Sequence, residues 1–348
     1  MNKTPIIAIF LTLMLLMPLV AMAEDINARL VAADGVSPTT GLPVEEGYQH
    51  IPMAVNVCLE PASRPQWGLS QADVIYEAIN YAGGFTRLTA IFANDLADHV
   101  GPVRSYRIHH VNLASEWGAA MVHFGAQTSP GSNAKEYGSS MLAKGYIMAD
   151  VDAMSYENKK GICVRESSRR APWNVSVNLG GLIDAKGLGA VEGVGPLRFS
   201  PEGLTSGDEA TFVEVSYNKL YSAQYSYDKD TALYTRYYCK RPDLDGNDDE
   251  SPLTFANVIV QTAHTSFFNG DGSRPNIQLI GEGDAHYFAG GQHVSGHWRR
   301  EGAESRTVYM DDNGDEISFK PGKTFIHIVD NNTSLDFDGN SQMGDEDE

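Results

Sequence analysis

The sequence is poor in cysteine and in basic residues. Its 348 residues hold three cysteines, Cys58, Cys163 and Cys239, and none stands in a CxxC pair, which argues against a zinc site. One internal disulfide at most can form; Cys163 with Cys239 is the favoured pair, although three free thiols fit the sequence equally well. Lys and Arg number 26 against 45 Asp and Glu, a formal charge of −19, which argues against nucleic acid and anionic membrane surfaces as partners.

The signatures of several enzyme classes are also missing. The chain has no Walker phosphate loop, no paired-glycine dinucleotide fingerprint, and no Gly-x-Ser-x-Gly, Ser-x-x-Lys or His-Glu-x-x-His motif. We therefore predict no metal and no cofactor, and the sequence leaves open whether the protein is an enzyme. The acidic stretch 243–250 lacks the glycine position and the distal glutamate of an EF-hand loop, which favours a solvated acidic loop.

Long apolar runs are absent except at the N-terminus. Lys3 precedes an apolar run over 6–20, and Ala21-Met22-Ala23 follows it, an order typical of a secretory signal peptide over 1–23. An uncleaved membrane anchor is the alternative, because the run approaches the ~18–20 residues that span a bilayer. We expect the mature chain to be exported, without a membrane span, to the periplasm or the cell surface.

Turn residues and periodicity predict an α+β protein in two parts. After an extended lead-in over 24–50, strands alternate with helical periods over 51–194, which predicts an N-terminal mixed α/β domain. Over 195–330, short β-rich runs follow one another between turn residues, which predicts an antiparallel β-rich domain that folds independently. The acidic residues 331–348 are expected to form a disordered tail.

The most informative stretch is Gly101-Pro102-Val103-Arg104-Ser105-Tyr106-Arg107, at the opening of a predicted helix. Arg104 and Arg107 are three residues apart, which puts both guanidiniums on one helix face beside the free N–H groups of the first turn. That arrangement favours a carboxylate or a phosphate, and Arg87 could join it from a predicted strand. The alternative is that these arginines pair with internal acids: Asp73, Glu77 or Glu116.

Two further residues are candidates for acid–base catalysis. His123 ends a predicted strand beside a loop, where sites are commonly built, although a lone histidine in an apolar strand is more often a core residue. Glu77 lies within an apolar strand and needs a partner there, for which an arginine is the simplest choice. The candidate ligand-binding residues are Arg87, Arg104, Ser105, Arg107, His123 and Asn174.

A set of ordered motifs gives the chain a family resemblance. They are Pro52-Met53-Ala54-Val55, Gly68-Leu69-Ser70-Gln71-Ala72-Asp73, Gly84-Phe85-Thr86-Arg87, Gly101-Pro102-Val103-Arg104-Ser105, Arg170-Ala171-Pro172, Gly296-x-Trp298 and Pro321-Gly322-Lys323-Thr324. On these motifs the chain resembles the YerB family of bacterial exported proteins, a family of unknown function, over roughly residues 50–330.

The resemblance implies an N-terminal mixed domain, a C-terminal β domain and a place in the cell envelope. Members of that family are commonly lipoproteins, whereas this chain has no cysteine after its apolar segment to carry a lipid. Trp173 also stands where the family usually has a histidine before the asparagine, so no role for a histidine is carried over there.

These observations predict an exported cell-envelope protein that binds an anionic ligand, with cell-wall polymer or an envelope protein as partner. A hydrolase or transferase acting on an envelope polymer is one alternative, and a protein-interaction scaffold is another. Geometry can discriminate among them. One open cleft lined by the candidates would support a site, whereas Glu77 paired with the arginines in a closed interior would contradict it.

The predicted export can be tested on the N-terminus of the mature chain. Because Ala21-Met22-Ala23 follows the apolar run, cleavage should fall before Glu24. Mass spectrometry of the exported protein should find Glu24 as its first residue. A first residue at Met1, or a lipid-modified form, would contradict the prediction.

Overall fold

The computed structural model describes residues 25–129, 131–268 and 271–337, so the predicted signal peptide lies outside the described residues. The α-helices are α1 Ile108–Glu116, α2 Ala134–Ala143 and α3 Leu179–Lys186. Single 3-10 turns cover Pro61–Ser63, Leu69–Gln71 and Ala153–Tyr156. None of the helices that these residues form is long and apolar enough to cross a membrane.

Strands make up most of the regular structure. Numbered in chain order, they are β1 Leu30–Val31, β2 Met53–Cys58, β3 Val74–Ile79, β4 Thr86–Phe92, β5 Ala120–His123, β6 Thr128–Ser129, β7 Ser132–Asn133, β8 Ala149–Asp152, β9 Cys163–Arg165, β10 Val175–Val177, β11 Val194–Gly195, β12 Asp208–Glu209, β13 Phe212–Asn218, β14 Tyr221–Asp228, β15 Leu233–Tyr238, β16 Arg241–Pro242, β17 Leu244–Asp245, β18 Asp248–Pro252, β19 Thr254–Phe255, β20 Asn257–Thr262, β21 Thr265–Phe268, β22 Asp271–Ile277, β23 Gly281–Ala289, β24 Gln292–Arg300, β25 Val308–Asp311, β26 Thr324–Val329 and β27 Ser334–Asp336.

One sheet of eleven strands runs through both parts of the chain. Its order is β12-β24-β23-β20-β26-β3-β4-β2-β5-β8, and β25 pairs with β24. At its centre β26 pairs in parallel with β3, which joins strands from opposite ends of the sequence. Every residue of β2, β4 and β26 is buried, so both faces of these central strands need cover.

The predicted independence of the C-terminal part is wrong. Two hydrophobic clusters, one on each face of the large sheet, both draw on the two parts of the chain. On one face Leu88 and Phe288 belong to the same cluster, and on the other Trp117 and Trp298 do. Alternating hydrophobicity assigns the two faces of a strand, but it does not say which strand lies beside it. The three helices do fall within 51–194, as predicted.

The large sheet lies between two covering layers. A six-stranded sheet, ordered β16-β15-β14-β13-β27 with β19 on β15, and helix α3 supply residues to the cluster on one face. Helices α1 and α2 supply residues to the cluster on the other face. Strand β27 pairs with β13, so the expected disordered tail does not begin at 331, and residues 338–348 lie outside the described residues.

A buried ionic network joins the large sheet to the six-stranded one. Arg236 of β15 donates from Nη2 to Glu77 Oε2 of β3 at 2.8 Å, and both side chains are almost fully buried. Thr86 donates from Oγ1 to the other carboxylate oxygen of Glu77 at 2.7 Å. Arg236 also pairs with Asp243, which accepts from Arg64 Nη1 at 3.0 Å. Glu77 is therefore a structural residue, whose ion pair with Arg236 holds the large sheet and the six-stranded sheet together.

The acidic stretch 243–250 is not simply a solvated loop. Asp243 is buried in the network just described, and the carboxylate of Asp245 accepts the backbone N–H groups of Gly68 and Ser70 at 2.9 and 2.7 Å. These contacts tie the loop to the N-terminal part of the chain. Of the cysteine states that the sequence left open, the structure has three free thiols, with Cys58 and Cys163 buried and Cys239 exposed.

The Glu77–Arg236 pair gives a stability prediction. Glu77→Gln removes the carboxylate that Arg236 faces inside the protein, and breaking a buried ion pair from one side costs about 3–5 kcal/mol. Urea unfolding should show that loss. The matched control is Glu282→Gln on the exposed side of β23, which should change the free energy of unfolding by less than about 0.5 kcal/mol. Equal stability of the two variants would contradict the structural role.

Candidate anion-binding site

Most candidate residues lie where strands of the large sheet end, because several neighbouring strands point in the same direction. Strands β2, β5 and β8 are parallel, and both β2 and β3 are antiparallel to β4, so β2, β3, β5 and β8 all point the same way. Their carboxyl ends meet the first residues of β4 at one edge. Ligands commonly bind at the carboxyl edge of such sheets, because the loops that leave the strands converge there.

Register places a row of polar side chains on one face of that edge. Cys58 lies opposite Arg87, and His123 lies opposite Asp152. Alternation along each strand turns these residues towards the face that carries α1 and α2. The same alternation turns Glu77 to the opposite face, opposite Leu88. The prediction that Glu77 lies within reach of the three arginines is therefore wrong.

Arg87 and Arg107 form the buried centre of the row. Arg87 is 1% exposed; its Nη1 donates to Ser105 O at 2.6 Å and its Nη2 lies 3.5 Å from Glu60 Oε1. Arg107 is 4% exposed; its Nη1 donates to Tyr106 O at 3.1 Å and its Nη2 to Tyr81 Oη at 3.0 Å. We call Arg87, Arg104 and Arg107 the arginine cluster.

Helix α1 begins at Ile108, directly after the arginine cluster, so the prediction that Arg104 and Arg107 share a helix face is wrong: both precede the first helical residue. Arg107 is its N-cap residue in an extended conformation, and its backbone N–H donates to His110 Nδ1 at 2.8 Å. The first turn contains no acidic residue. The positive end of the helix therefore adds to the charge of the guanidiniums instead of offsetting it.

The cluster holds more positive than negative charge. Among the ion pairs of the described residues, the acid that reaches these three arginines is Glu60. The guanidiniums of Arg107 and Arg274 lie 5.4 and 4.8 Å from the ring centre of Tyr81. Burial, followed by the charge of Arg87, lowers the pKa of Arg107 to about 10. Burial alone would raise the pKa of Tyr81, but the surrounding arginines lower it.

Several buried polar atoms of this region have no hydrogen-bond partner among the described residues. They are Nε of each cluster arginine, both ring nitrogens of His109, Nε2 of His110 and both amide atoms of Asn80. Buried polar groups are normally satisfied by protein, water or a ligand. Most of these atoms are donors, so an anion with its ordered water would satisfy them.

The cluster can be reached from solvent on one side. Arg104, Ser105, Tyr81 and Glu60 are partly exposed, whereas Arg87 and Arg107 lie behind them. Asn174 does not touch the cluster arginines; its Oδ1 accepts from Arg165 Nη1 at 3.2 Å within the β9–β10 hairpin. Asn174 can therefore support the site only through Arg165.

His123 belongs to a pocket that adjoins the cluster. Its Nδ1 lies 2.8 Å from Gly125 O and its Nε2 lies 2.5 Å from Asp150 Oδ1. Both neighbours are acceptors, so a proton must lie between His123 and Asp150 whichever of the two carries it. The imidazole is 3% exposed, whereas Asp150 is 23% exposed and faces the pocket. We call this pocket, of about 460 Å³, the His123 pocket.

Larger depressions exist, but their charges are already paired or solvated. One of about 890 Å³ lies along the lead-in, and its Arg198 and Arg306 both pair with Glu316. Another, of about 800 Å³, is lined by exposed charges near Gly290-Gly291. We place the candidate site at the arginine cluster because buried charge without a partner is concentrated there.

Sequence reasoning missed four residues of this region: Glu60, Tyr81, Asp150 and Arg274. Glu60 and Tyr81 follow β2 and β3 directly, so the rule that parallel strands present their carboxyl ends at one edge could have found them. The alternation in Ala149–Asp152 could have shown that its two aspartates share a face. Arg274 arrives on the β21–β22 hairpin, and nothing local in the sequence indicates that placement.

Comparison with known proteins agrees with the motifs. The chain matches two family models, described as the N-terminal domain of a protein of unknown function (DUF3048), over residues 39–188, and the DUF3048 C-terminal domain, over residues 213–326. The chain belongs to the DUF3048 family. A relative from Bacillus subtilis (strain 168), named "Putative lipoprotein YerB", is 31% identical over 306 residues, which cover 84% of this chain and 86% of the relative.

The DUF3048 fold is also known from a crystal structure. The structure of the YerB protein from Bacillus subtilis has a TM-score of 0.73 and 29% identity to this chain, and the match covers 86% of this chain and 99% of that one. The family resemblance predicted from the motifs is thus confirmed. The family descriptions assign no activity, so the function must be argued from the site.

The buried histidines beside the cluster give a pH prediction. Burial, followed by the charges of Arg107 and Arg87, lowers the pKa of His109 to about 3, below its ordinary value of 6.5. As the pH falls, His109 is therefore protonated in the unfolded chain at a higher pH than in the folded chain. The stability that His109 contributes is present above pH 6.5 and is lost as the pH falls from 6.5 towards 3.

Urea unfolding at pH 7.5, 6.5, 5.5 and 4.5 measures this effect. Each such histidine contributes a slope of up to about 1.4 kcal/mol per pH unit below pH 6.5. In His109→Gln that contribution is lost. The slope of the unfolding free energy between pH 5.5 and 4.5 should therefore fall by about 1.4 kcal/mol per pH unit, which corresponds to one proton. An unchanged slope in the variant would show that His109 takes up its proton in the folded state.

Proposed function

We propose that this member of the DUF3048 family is an exported cell-envelope protein that binds an anionic ligand, a carboxylate or a phosphate, at the arginine cluster. The observation that carries the proposal is the charge balance: of three guanidiniums, two are almost fully buried, and the one ion pair they make among the described residues joins Arg87 to Glu60. The N-terminal motif order and the lipoprotein name of the Bacillus relative support the place in the envelope.

Physical chemistry favours an anion over an empty cluster. Burying a charge without a counter-charge is costly, and burial, followed by the charge of Arg87, lowers the pKa of Arg104 and of Arg107. A carboxylate or phosphate would remove that repulsion and accept from several guanidinium N–H groups at once. The whole chain carries a formal charge of −19, so the cluster is a local exception to an acidic molecule.

A second candidate function is supported by the His123 pocket. The proton between His123 Nε2 and Asp150 lies beside the anion site, which suits acid–base catalysis by a hydrolase or transferase acting on an envelope polymer. Glu77 is no longer a candidate acid, because it is held in a closed interior by Arg236 and Thr86.

Binding titrations with purified mature protein test the proposal. Isothermal titration with phosphate and with acetate, and pulldown on isolated cell wall with these anions as competitors, should detect binding that Arg107→Ala weakens at least tenfold. That factor follows from the loss of about 1.5–3 kcal/mol expected when a hydrogen bond to a charged group is removed. Arg107→Lys should restore only part of it, because a point charge cannot reproduce the bidentate fork.

The matched control is Arg241→Ala, an exposed arginine on β16 that makes no ion pair among the described residues. It removes the same charge and should leave binding unchanged. Thermal melts recorded beside the titrations separate binding from stability. If Arg107→Ala lowers the melting temperature strongly while the parent protein binds neither anion nor cell wall, the cluster is structural and the proposal fails.

A further inference from the structure

The His123 pocket is built from both donors and acceptors. Asp150 and Asp152 on its wall come from strand β8 and accept hydrogen bonds, and the exposed Lys135 and Lys186 donate at its rim. Hydroxyl groups that can do either complete the wall: Thr128, Ser155 and Tyr156. Its volume of about 460 Å³ is within the range of about 300–1,000 Å³ usual for small-molecule sites.

One wall residue, Tyr106, borders the pocket with its ring. Tyr106 is fully buried, and its hydroxyl has no hydrogen-bond partner among the described residues. Its ring meets the imidazole of His123 edge-on, with centroids 4.4 Å apart. The hydroxyl oxygen itself is buried against α2, where a Cβ built on Gly138 would lie 2.7 Å from it, so a ligand in the pocket would meet the Tyr106 ring.

The pocket carries charges of both signs. The His123 imidazole lies between two carboxylates, with its Nε2 2.5 Å from Asp150 Oδ1 and its Nδ1 3.8 Å from Asp152 Oδ1. A second anion would meet Asp152, and an ammonium group would meet the two lysines at the rim. Only a group whose polar atoms both donate and accept matches this wall, and sugar and polyol hydroxyls are such groups.

The pocket and the arginine cluster are neighbours. Tyr106, which lines the pocket, directly precedes Arg107, and consecutive Cα atoms are about 3.8 Å apart. Ser105 bridges the two, since Arg87 Nη1 donates to its carbonyl and its own hydroxyl donates to Phe124 O at 2.9 Å. In the sheet, β2 separates β4 of Arg87 from β5 of His123, a span of roughly 10 Å.

We propose that the ligand is an acidic carbohydrate or polyol unit, whose phosphate or carboxylate binds the arginine cluster and whose hydroxyl groups bind the His123 pocket. This inference rests on the proposed function and names its ligand class. Asp150 accepts from the hydroxyls, and His123 holds its carboxylate in place. The pairing of an anion site with an adjoining hydroxyl-binding pocket is what distinguishes this ligand from a simple anion.

Matched pairs of probes test the inference. Glucose 1-phosphate is compared with methyl phosphate, and glucuronate with acetate, by isothermal titration at constant ionic strength. Each pair shares its anionic group and differs in the sugar. In at least one pair the sugar-bearing probe should bind at least tenfold more tightly. Asp150→Asn should abolish that preference while leaving the affinity for methyl phosphate or acetate within about twofold of the parent.

Two further variants keep the result interpretable. Tyr156→Phe removes one hydroxyl from the same wall without breaking the contact to His123, and it should reduce the preference. Asp34→Asn, an exposed change in the lead-in, should leave it unchanged. Equal affinities within both pairs overturn this inference and leave anion binding standing. Absence of binding for all four probes overturns the proposed function as well.

Discussion

The parallel pairing of β26 with β3 is the constraint on which the rest of the structure depends. It joins residues about 250 positions apart in the chain, as in Val74 opposite Thr324. Closing so long a loop has an entropic cost, but that cost grows slowly with loop length. Burial of both faces of β26 offsets it. Once the pair forms, the hairpins of both parts extend a single sheet, and neither part has a core of its own.

That pairing also decides which face of the sheet each charged residue lies on. In register, Glu77 lies beside His327 on β26, on the face covered by the six-stranded sheet, where Arg236 neutralises it. Arg87, the next strand's nearest charged residue, points to the other face, where no described acid except Glu60 reaches it. Two buried arginines of similar sequence surroundings therefore acquire different roles. Arg236 holds the two sheets together through Glu77, whereas Arg87 belongs to the cluster for which anion binding is proposed.

The helical layer completes the second face. Helix α1 starts directly after Arg107, with its positive end at the arginine cluster, and β5 and β8 bring His123, Asp150 and Asp152 to the adjoining pocket. An acidic protein thus has a basic, donor-rich region beside a pocket lined by residues of both charges. The residues of both sites lie at strand ends and in the loops that follow them. The rigid sheet fixes the spacing of these loops, which is where binding residues commonly lie.

Local patterns in the sequence were sufficient for the strand-rich C-terminal part, the helix that follows Arg107, and the motif order that marks the DUF3048 family, but not for helix α3. These features depend on neighbours a few residues away: helical spacing, turn residues and strand alternation. The single sheet, the partner of Glu77, the buried Asp243 and Asp245, and the placement of Arg274 depended on the tertiary structure. A strand's pattern assigns its residues to two faces, but which face is polar-lined, and which distant charge lies across it, follows from pairing between segments far apart in the chain.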